Sequence, residues 1–202
     1  MSAPEMAPAT IARIASFDWK RVEDDLEAQG YAVLERLLDP AECASVAELF
    51  PSAEVFRSQV VMERYNFGRG VYKYFRYPLP PLVQTLRSEL YARVAAVANG
   101  WSESMGLAER YPGRHADFVS QCHESGQTRP TPLLLEYGVD DYNCLHQDLH
   151  GDLWFPLQAA VLLSQPGRDF EGGEFVLTEQ RPRMQSRPMV VPLEKETQWC
   201  SR

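Results

Sequence analysis

The chain has 202 residues, of which 45% are hydrophobic and 24% charged, an ordinary composition for one soluble globular domain. Its net charge of −8 argues against a general nucleic-acid coat, although it allows a local basic patch. No apolar run approaches the roughly 18 residues of a transmembrane helix, and the start of the chain lacks the apolar core of a signal peptide. Four scattered cysteines are typical of free thiols. We therefore expect a cytoplasmic protein with no membrane partner.

The first 15 residues are rich in alanine and proline, which predicts a disordered leader before a single domain over residues 16–202. A helix is expected next, because Ser16 or Asp18 can cap its start and Gly30 is a stop signal. Apolar residues recur at helical intervals between these signals.

Three further helices follow. Residues 39–42 have the capping-box pattern of a helix start, with proline at the first helical position. Two prolines at 80–81 precede a long helix to about Met105, and a shorter helix is predicted over residues 112–125. A strand is expected over residues 31–38. Helices gathered ahead of strands fit an α+β layout in which the helices pack on one face of a sheet.

Residues 57–76 combine five basic residues and one acid with many aromatic residues. The basic residues are Arg57, Arg64, Arg69, Lys73 and Arg76, and the aromatic residues in and beside the stretch are Tyr65, Phe67, Tyr72, Tyr74, Phe75 and Tyr77. One interpretation is a substrate-facing loop or a stacking surface for bases. The other, which we favour, is a pair of strands joined at residues 68–70, with aromatic residues inside and basic side chains reaching outward.

The pattern then changes to short strands separated by turns, which is typical of a β-sandwich or barrel. Strands are predicted over residues 133–137, 142–147, 155–163, 170–177 and 189–193. The strand predicted over residues 142–147 contains His146, and Asp148 directly follows the end of that strand. On a strand, side chains at i and i+2 point to the same face, so the imidazole and the carboxylate would project together. Such a pair supplies two of the three ligands of the 2-His-1-carboxylate triad that binds non-haem Fe(II).

A His-x-acid string is weak by itself, because a chance match is expected in about half of chains with this composition. A second copy, His115 and Asp117, falls in a predicted helix, where residues i and i+2 are roughly 200° apart. We reject it as a chelate and expect His115 and His123 on the solvated helix surface. His150 could be a later ligand or an exposed loop residue, and we favour the loop.

Several segments resemble the Fe(II)/2-oxoglutarate-dependent dioxygenases, in particular their bacterial prolyl-hydroxylase-like group. The matching segments, spread over most of residues 30–193, are YAVLERLLDPAECASVAELF, YGVDDYNCLHQDLHGD, FPLQAAVLLS and FEGGEFVLTE. The resemblance implies an α+β fold with a double-stranded β-helix (jelly roll) core, buttressed by the N-terminal helices. It also implies that His146 and Asp148 are iron ligands, that 2-oxoglutarate is the co-substrate of Fe(II), and that ascorbate is a candidate reductant.

The string His-Gln-Asp also occurs in the alkylated-base dioxygenases, in which a tyrosine nine positions before the histidine contacts 2-oxoglutarate. Tyr137 stands at that position in this sequence. Two interpretations of Tyr137 stay open. It is a contact of 2-oxoglutarate, as this resemblance implies, or a half-buried strand tyrosine whose hydroxyl is satisfied within the protein.

The family completes its triad with a distal histidine on a later strand, followed by a basic residue that pairs with the far carboxylate of 2-oxoglutarate. After Asp148 the one histidine of this chain is His150, and residues 194–202 look polar and strandless. We therefore expect a domain that is interrupted or truncated at its C-terminus, with weak Fe(II) binding and little or no turnover.

Three functions follow from these observations. The first is hydroxylation of a C–H bond in an amino acid or a protein side chain, using O₂ and releasing succinate and CO₂. This function has a small molecule or a protein as the partner. The second is a nucleobase-dealkylating dioxygenase of the same fold, with nucleic acid as the second-ranked partner. The third is a non-catalytic remnant on the same scaffold.

Overall fold

The computed structural model describes residues 3–148, 151–180, 183–192 and 197–201, with side chains from residue 8 to residue 192 within these ranges. Its helices are α1 (Ala3–Ser16), α2 (Trp19–Gln29), α3 (Pro40–Ala47), α4 (Pro81–Ser104) and α5 (His115–Glu124), with a 3₁₀ turn at Met62–Tyr65. Its strands are β1 (Tyr31–Leu34), β2 (Phe56–Val61), β3 (Gly68–Arg69), β4 (Val71–Phe75), β5 (Leu133–Glu136), β6 (Tyr142–Asn143), β7 (Leu157–Val161), β8 (Phe175–Glu179), β9 (Arg187–Val191) and β10 (Thr197–Ser201).

These strands pair antiparallel in four small sheets within the described residues. One sheet has the order β1-β10-β7, a second has the order β2-β4-β5, and β3–β6 and β8–β9 are two-stranded. The described elements thus combine helices with antiparallel sheets, and the jelly-roll core stays a prediction. None of the described helices has both the length and the apolar character needed to cross a membrane.

The helix starts and stops that the sequence predicts are confirmed by their hydrogen bonds. The carboxylate of Asp18 accepts from the backbone of Arg21, and Gly30 closes α2 in the left-handed conformation with φ 79°. At α3, the Asp39 carboxylate accepts from backbone N–H groups in the first turn, and the Glu42 carboxylate accepts from the Asp39 N–H. This is the reciprocal capping box that the spacing predicts.

Residues 3–15, which were predicted to belong to a disordered leader, instead form most of α1, and α1 packs on the rest of the protein. Thr10 and Ile14 are fully buried, and Ile14 joins a core formed with α2, α4, β1 and Leu157 of β7. The Arg13 guanidinium lies 2.6 Å from the buried Glu42 carboxylate, which also accepts from the Thr10 hydroxyl. Composition suggested disorder, but long-range contacts with α3 and α4 order the segment.

A second core lies between the β2-β4-β5 sheet and the helices α3 and α4. Phe56, Phe75 and Leu134 fill the helix-facing side of the sheet, against Cys43 and Leu82. This arrangement confirms that the basic and aromatic stretch forms paired strands. The predicted division into inner aromatic and outer basic side chains is wrong in part, because Lys73 shares the helix-facing side with Phe75 and donates to the Phe50 carbonyl. Because side chains alternate along a strand, the neighbouring tyrosines of β4 point to the face of the sheet away from the helices.

The prediction of a polar tail without a strand is also wrong. Strand β10 lies between β1 and β7, with Thr197 opposite Leu34 on one side and Val161 on the other. Backbone groups on both edges of such a strand pair with its neighbours, so the polar composition of residues 194–202 does not prevent sheet formation.

His115 is buried, with 9% of its surface exposed, which corrects the prediction that it lies on the solvated helix surface. Its ring packs 5.2 Å from the ring of Tyr91, in an aromatic cluster with Phe118 and Phe155. Burial, with a smaller contribution from Arg87, lowers the pKa of His115 to about 4. The prediction of a polar surface position failed because α5 packs this side chain against α4. His123, in contrast, is exposed as predicted.

Replacing Glu42 should destabilise the protein strongly. In Glu42→Ala, the Thr10 hydroxyl and the Arg13 guanidinium lose the buried Glu42 carboxylate, which leaves Arg13 with Asp39 at 3.9 Å, and α3 loses half of its capping box. We expect a loss of about 3 kcal/mol in the free energy of unfolding, measured by urea denaturation. The matched control is Glu48→Ala at the exposed end of α3, which should change stability by less than about 0.5 kcal/mol. Equal losses in the two variants would contradict this account.

His115 should make the protein less stable in mild acid. Its pKa is lowered in the folded state, so between pH 6.5 and 4 the unfolded chain binds a proton that the folded chain does not. The stability that the protein has while His115 is neutral is therefore fully present above pH 6.5 and is lost as the pH falls toward 4. We expect about 2 kcal/mol of this loss between pH 7 and pH 5, measured by urea denaturation at each pH. His115→Gln should remove this slope, and His123→Gln should keep it.

Candidate active site

His146 and Asp148 lie side by side in an irregular segment that follows β6. Strand β6 ends at Asn143, four residues earlier than predicted, so the pair is not held by a strand. The predicted approach of the two side chains is nevertheless present, with His146 Nε2 3.2 Å from Asp148 Oδ1. Their side chains are 49% and 27% exposed, which leaves the pair open to solvent.

A backbone hydrogen bond orients the imidazole. His146 Nδ1 lies 2.7 Å from the carbonyl oxygen of Cys144. A carbonyl can only accept, so Nδ1 carries the proton and Nε2 presents its lone pair in the neutral ring. Nε2 then faces a carboxylate oxygen, and two acceptors 3.2 Å apart repel each other unless a proton or a metal cation lies between them.

This arrangement fits two positions of a divalent metal site. Two donors that each lie about 2.1 Å from one metal ion and bind at adjacent positions are about 3 Å apart, close to the distance between His146 Nε2 and Asp148 Oδ1. Ligating histidines commonly donate their other ring N–H to a carbonyl, as His146 does. Among the residues that the structure describes, no group of three or more His, Cys, Asp or Glu side chains forms a candidate metal site.

The short β3–β6 ladder positions the segment that carries this pair. Gly68 pairs with Asn143 and Arg69 with Tyr142, and the Cys144 N–H donates to the Phe67 carbonyl at 2.9 Å. Gly68 has φ 119°, and a Cβ at this position would overlap the Tyr142 carbonyl oxygen. Glycine is therefore required for the close approach of the two strands.

Tyrosines of β4 line the side of the site near Asp148. Tyr72 and Tyr74 lie on the sheet face away from the helices, with their rings 5.5 Å apart. Burial is the largest cause that raises the pKa of both hydroxyls. Tyr74 and then Asp148 raise the pKa of Tyr72 further, and Asp148 raises the pKa of Tyr74, whereas Arg57, 4.3 Å from the centre of the Tyr74 ring, lowers it. The hydrogen bond between the two hydroxyls raises the pKa of Tyr72 and lowers that of Tyr74, so Tyr72 donates to Tyr74 and the Tyr74 hydroxyl keeps its own proton to donate.

Tyr137 follows β5 and remains 44% exposed. Its ring packs over Gly70, where an added Cβ would lie 2.8 Å from Tyr137 Cδ1. Burial raises the pKa of its hydroxyl, and a hydrogen bond with the Asn143 side chain opposes that shift. The hydroxyl thus has a partner within the protein, as one of the two sequence interpretations expects. Contact with 2-oxoglutarate stays a prediction.

His115 does not contribute to this site. Asp117 lies 4.0 Å from Arg114, and His115 packs in the aromatic cluster, so the second His-x-Asp string is not a chelate. His150 lies outside the described residues, and its assignment to a loop stays a prediction.

A comparison with protein families matches residues 70–199 to an oxygenase family described as catalysing oxidative methylation of damaged DNA. The matched range covers more than half of the chain and contains both His146 and Asp148. The chain belongs to this oxygenase family. The prediction that the chain belongs to an oxygenase family is thereby confirmed, whereas assignment to the prolyl-hydroxylase-like group is not supported, because the matched family is described by its action on DNA.

Curated relatives of this oxygenase come from Mycobacterium tuberculosis. The uncharacterized protein MT2286 of strain CDC 1551 / Oshkosh is 44% identical over 119 residues, which are 59% of this chain and 51% of that protein. The uncharacterized protein Rv2227 of strain ATCC 25618 / H37Rv matches with the same identity and coverage. The chain therefore spans about half the length of the curated relatives it matches. No solved structure matches the chain.

The sequence did not single out Arg57, Tyr72 or Tyr74 as site residues, because the favoured interpretation of their stretch was a pair of strands. The available signal was the spacing of the tyrosines. Two tyrosines at i and i+2, next to a buried Phe75, predict a polar aromatic face opposite the core. That this face lies near Asp148 depends on the fold of residues far apart in the chain, which the spacing does not encode.

Replacing Gly68 should loosen the candidate site. In Gly68→Ala, the new methyl group meets the Tyr142 carbonyl oxygen at a backbone conformation unfavourable for alanine. We expect a loss of about 2 kcal/mol in the free energy of unfolding and faster hydrogen exchange of the Cys144 amide. The control is Gly100→Ala within α4, where no atom lies within 4 Å of the added Cβ. That control should be neutral or stabilising by about 0.5–1 kcal/mol, and a similar loss in both variants would contradict the role of Gly68.

Proposed function

We propose that this oxygenase removes alkyl groups from nucleobases in an Fe(II)- and 2-oxoglutarate-dependent reaction, with His146 and Asp148 as two of the iron ligands. The observation that carries the proposal is the pair of acceptors, Nε2 and Oδ1, 3.2 Å apart within the range that matches a family of damaged-DNA oxygenases. A divalent cation between the two atoms would satisfy both acceptors, and their donor types are those of the 2-His-1-carboxylate iron site.

The residues around the pair have separate roles in this proposal. The Cys144 carbonyl holds the His146 ring with its Nε2 lone pair toward the metal position, and Asp148 supplies the anionic donor. The Tyr74 hydroxyl, which accepts from Tyr72, provides a hydrogen-bond donor near that carboxylate. Bound Fe(II), with 2-oxoglutarate and O₂, would supply the oxidant for a C–H bond of the alkyl group.

The proposed substrate differs from the function that the sequence analysis ranked first. Hydroxylation of an amino acid or a protein side chain was inferred from the prolyl-hydroxylase-like resemblance, whereas the matched family is described as acting on damaged DNA. Two tyrosines of the basic and aromatic stretch, Tyr72 and Tyr74, lie close enough to Asp148 for its charge to raise the pKa of their hydroxyls, and Arg57 packs on the Tyr74 ring. Aromatic rings beside arginine are typical of surfaces that contact unpaired bases.

The proposal predicts iron-dependent demethylation of a single-stranded oligonucleotide that carries an N-methylated base. With Fe(II), 2-oxoglutarate, ascorbate and O₂, each turnover should convert one methyl group to formaldehyde and one 2-oxoglutarate to succinate and CO₂. Mass spectrometry of the oligonucleotide would measure the product. We expect slow turnover, because the described residues supply two metal ligands rather than three.

His146→Ala should abolish this turnover, because it removes one of the two ligands. His123→Ala is the matched control, since His123 is an exposed histidine at the end of α5, and it should retain the activity of the unsubstituted protein. Demethylation that survives in His146→Ala, or none in the unsubstituted protein, would contradict the proposal. Hydroxylation of peptides in place of oligonucleotides would support the function that the sequence analysis ranked first.

A further inference from the structure

Two exposed aromatic rings stack on each other close to the candidate active site. The Tyr65 and Phe67 rings are 5.5 Å apart and inclined by 22°, and these residues are 58% and 46% exposed. We call this pair the aromatic platform. Between them, Asn66 adopts the left-handed conformation with φ 59°, which ends the 3₁₀ turn and reverses the chain. The local backbone therefore brings the two rings onto one side.

The platform is tied directly to the segment that carries His146. The Phe67 carbonyl accepts the N–H of Cys144 at 2.9 Å, and the Cys144 carbonyl accepts from the His146 ring. One residue, Leu145, separates Cys144 from His146, which limits the distance between their Cα atoms to about 7 Å. Exposed Tyr142 and Leu145, 56% and 71% exposed, extend the apolar surface on the same short segment.

We propose that the aromatic platform binds an unpaired base of single-stranded nucleic acid, which adds a third layer to the Tyr65–Phe67 stack beside the His146–Asp148 pair. This inference rests on the proposed function and names the form of its substrate. Stacking on an aromatic ring needs a free base face. In a duplex both faces of each internal base are covered by neighbouring bases, so the platform selects single strands.

The charges around the platform favour recognition of base faces over the phosphate backbone. The Arg69 guanidinium is 3.1 Å from Glu63 and 4.0 Å from Asp141, so its charge is largely compensated within the protein. The chain as a whole carries a net charge of −8. Long-range attraction to phosphates is therefore weak, and stacking contacts must supply most of the binding. Arg64, directly before Tyr65, is exposed and can contact one phosphate. Accordingly, the affinity should depend little on salt, with a log–log slope no steeper than about −1.

The test measures binding without iron or 2-oxoglutarate, by fluorescence polarisation of a labelled single-stranded oligonucleotide and of the same sequence as a duplex. We expect the single strand to bind more tightly than the duplex. The double variant Tyr65→Ala/Phe67→Ala should lose affinity for the single strand on the order of ten-fold. Phe67→Trp should retain binding, and its added indole fluorescence should be quenched by the stacked base.

A matched control removes another exposed aromatic ring of the same stretch. Tyr77 is 40% exposed, but its hydroxyl accepts from Arg87 of α4 and its ring lies 6.4 Å from that of His123 of α5. Tyr77→Ala should therefore leave the affinity for the single strand unchanged. Equal binding of single strand and duplex, unchanged binding in the double variant, or no oligonucleotide binding at all would overturn the inference. Capture of a protein by the platform without oligonucleotide binding would overturn it as well.

Base binding by the aromatic platform and the proposed demethylation can be refuted independently of each other. Platform-dependent binding of single strands together with no demethylation would support the platform and refute the proposed reaction. Demethylation that is unchanged in Tyr65→Ala/Phe67→Ala would support the reaction and refute the platform. Circular dichroism and thermal unfolding of the double variant would show that it is folded, which is expected because both replaced rings are exposed.

Discussion

The backbone of Cys144 is the constraint on which the candidate site depends. Its N–H is bound by the Phe67 carbonyl, and its own carbonyl accepts from the His146 ring. One peptide segment therefore fixes both the orientation of a candidate metal ligand and its distance from an exposed pair of aromatic rings. The contact requires close approach of β3 and β6, which the missing side chain at Gly68 permits. The two-residue ladder between β3 and β6 thus holds in place a site whose side chains are largely exposed to solvent.

Strand alternation explains how one basic and aromatic stretch serves both the core and the site. In β4, Phe75 is buried against the helices, whereas Tyr72 and Tyr74 face the other way toward Asp148. The two sequence interpretations of this stretch, paired strands and a functional surface, were treated as alternatives. The packing of paired strands on the helices concerns one face of the sheet, and the proposed functional surface is the opposite face of the same sheet. A half-buried strand can stabilise the fold with one face and present functional groups with the other.

Features set by neighbouring residues could be predicted from the sequence, and features set by distant contacts could not. The caps of α2 and α3 depend on side chains within three residues of the helix start, so Asp18 and Asp39 identified them. The burial of Ile14 and His115 depends on helices far away in the chain, and both predictions failed. His146 and Asp148 were predicted to approach each other through a strand. Their approach was confirmed, but the hydrogen bond to the Cys144 carbonyl, rather than a strand, orients the ring.

Net charge constrains how an oxygenase of this family could recognise nucleic acid. A protein with a net charge of −8 gains little from long-range attraction to phosphates, and Arg69 is already engaged by acidic neighbours. Under the proposed function, recognition would depend on short-range contacts, and among the described residues the stacked rings of Tyr65 and Phe67 offer such a contact on the segment hydrogen-bonded to that of His146. Stacking needs an exposed base face, and oxidation of a base substituent also requires that substituent to leave the duplex. The physical requirements of binding and of the proposed reaction therefore select the same unpaired substrate.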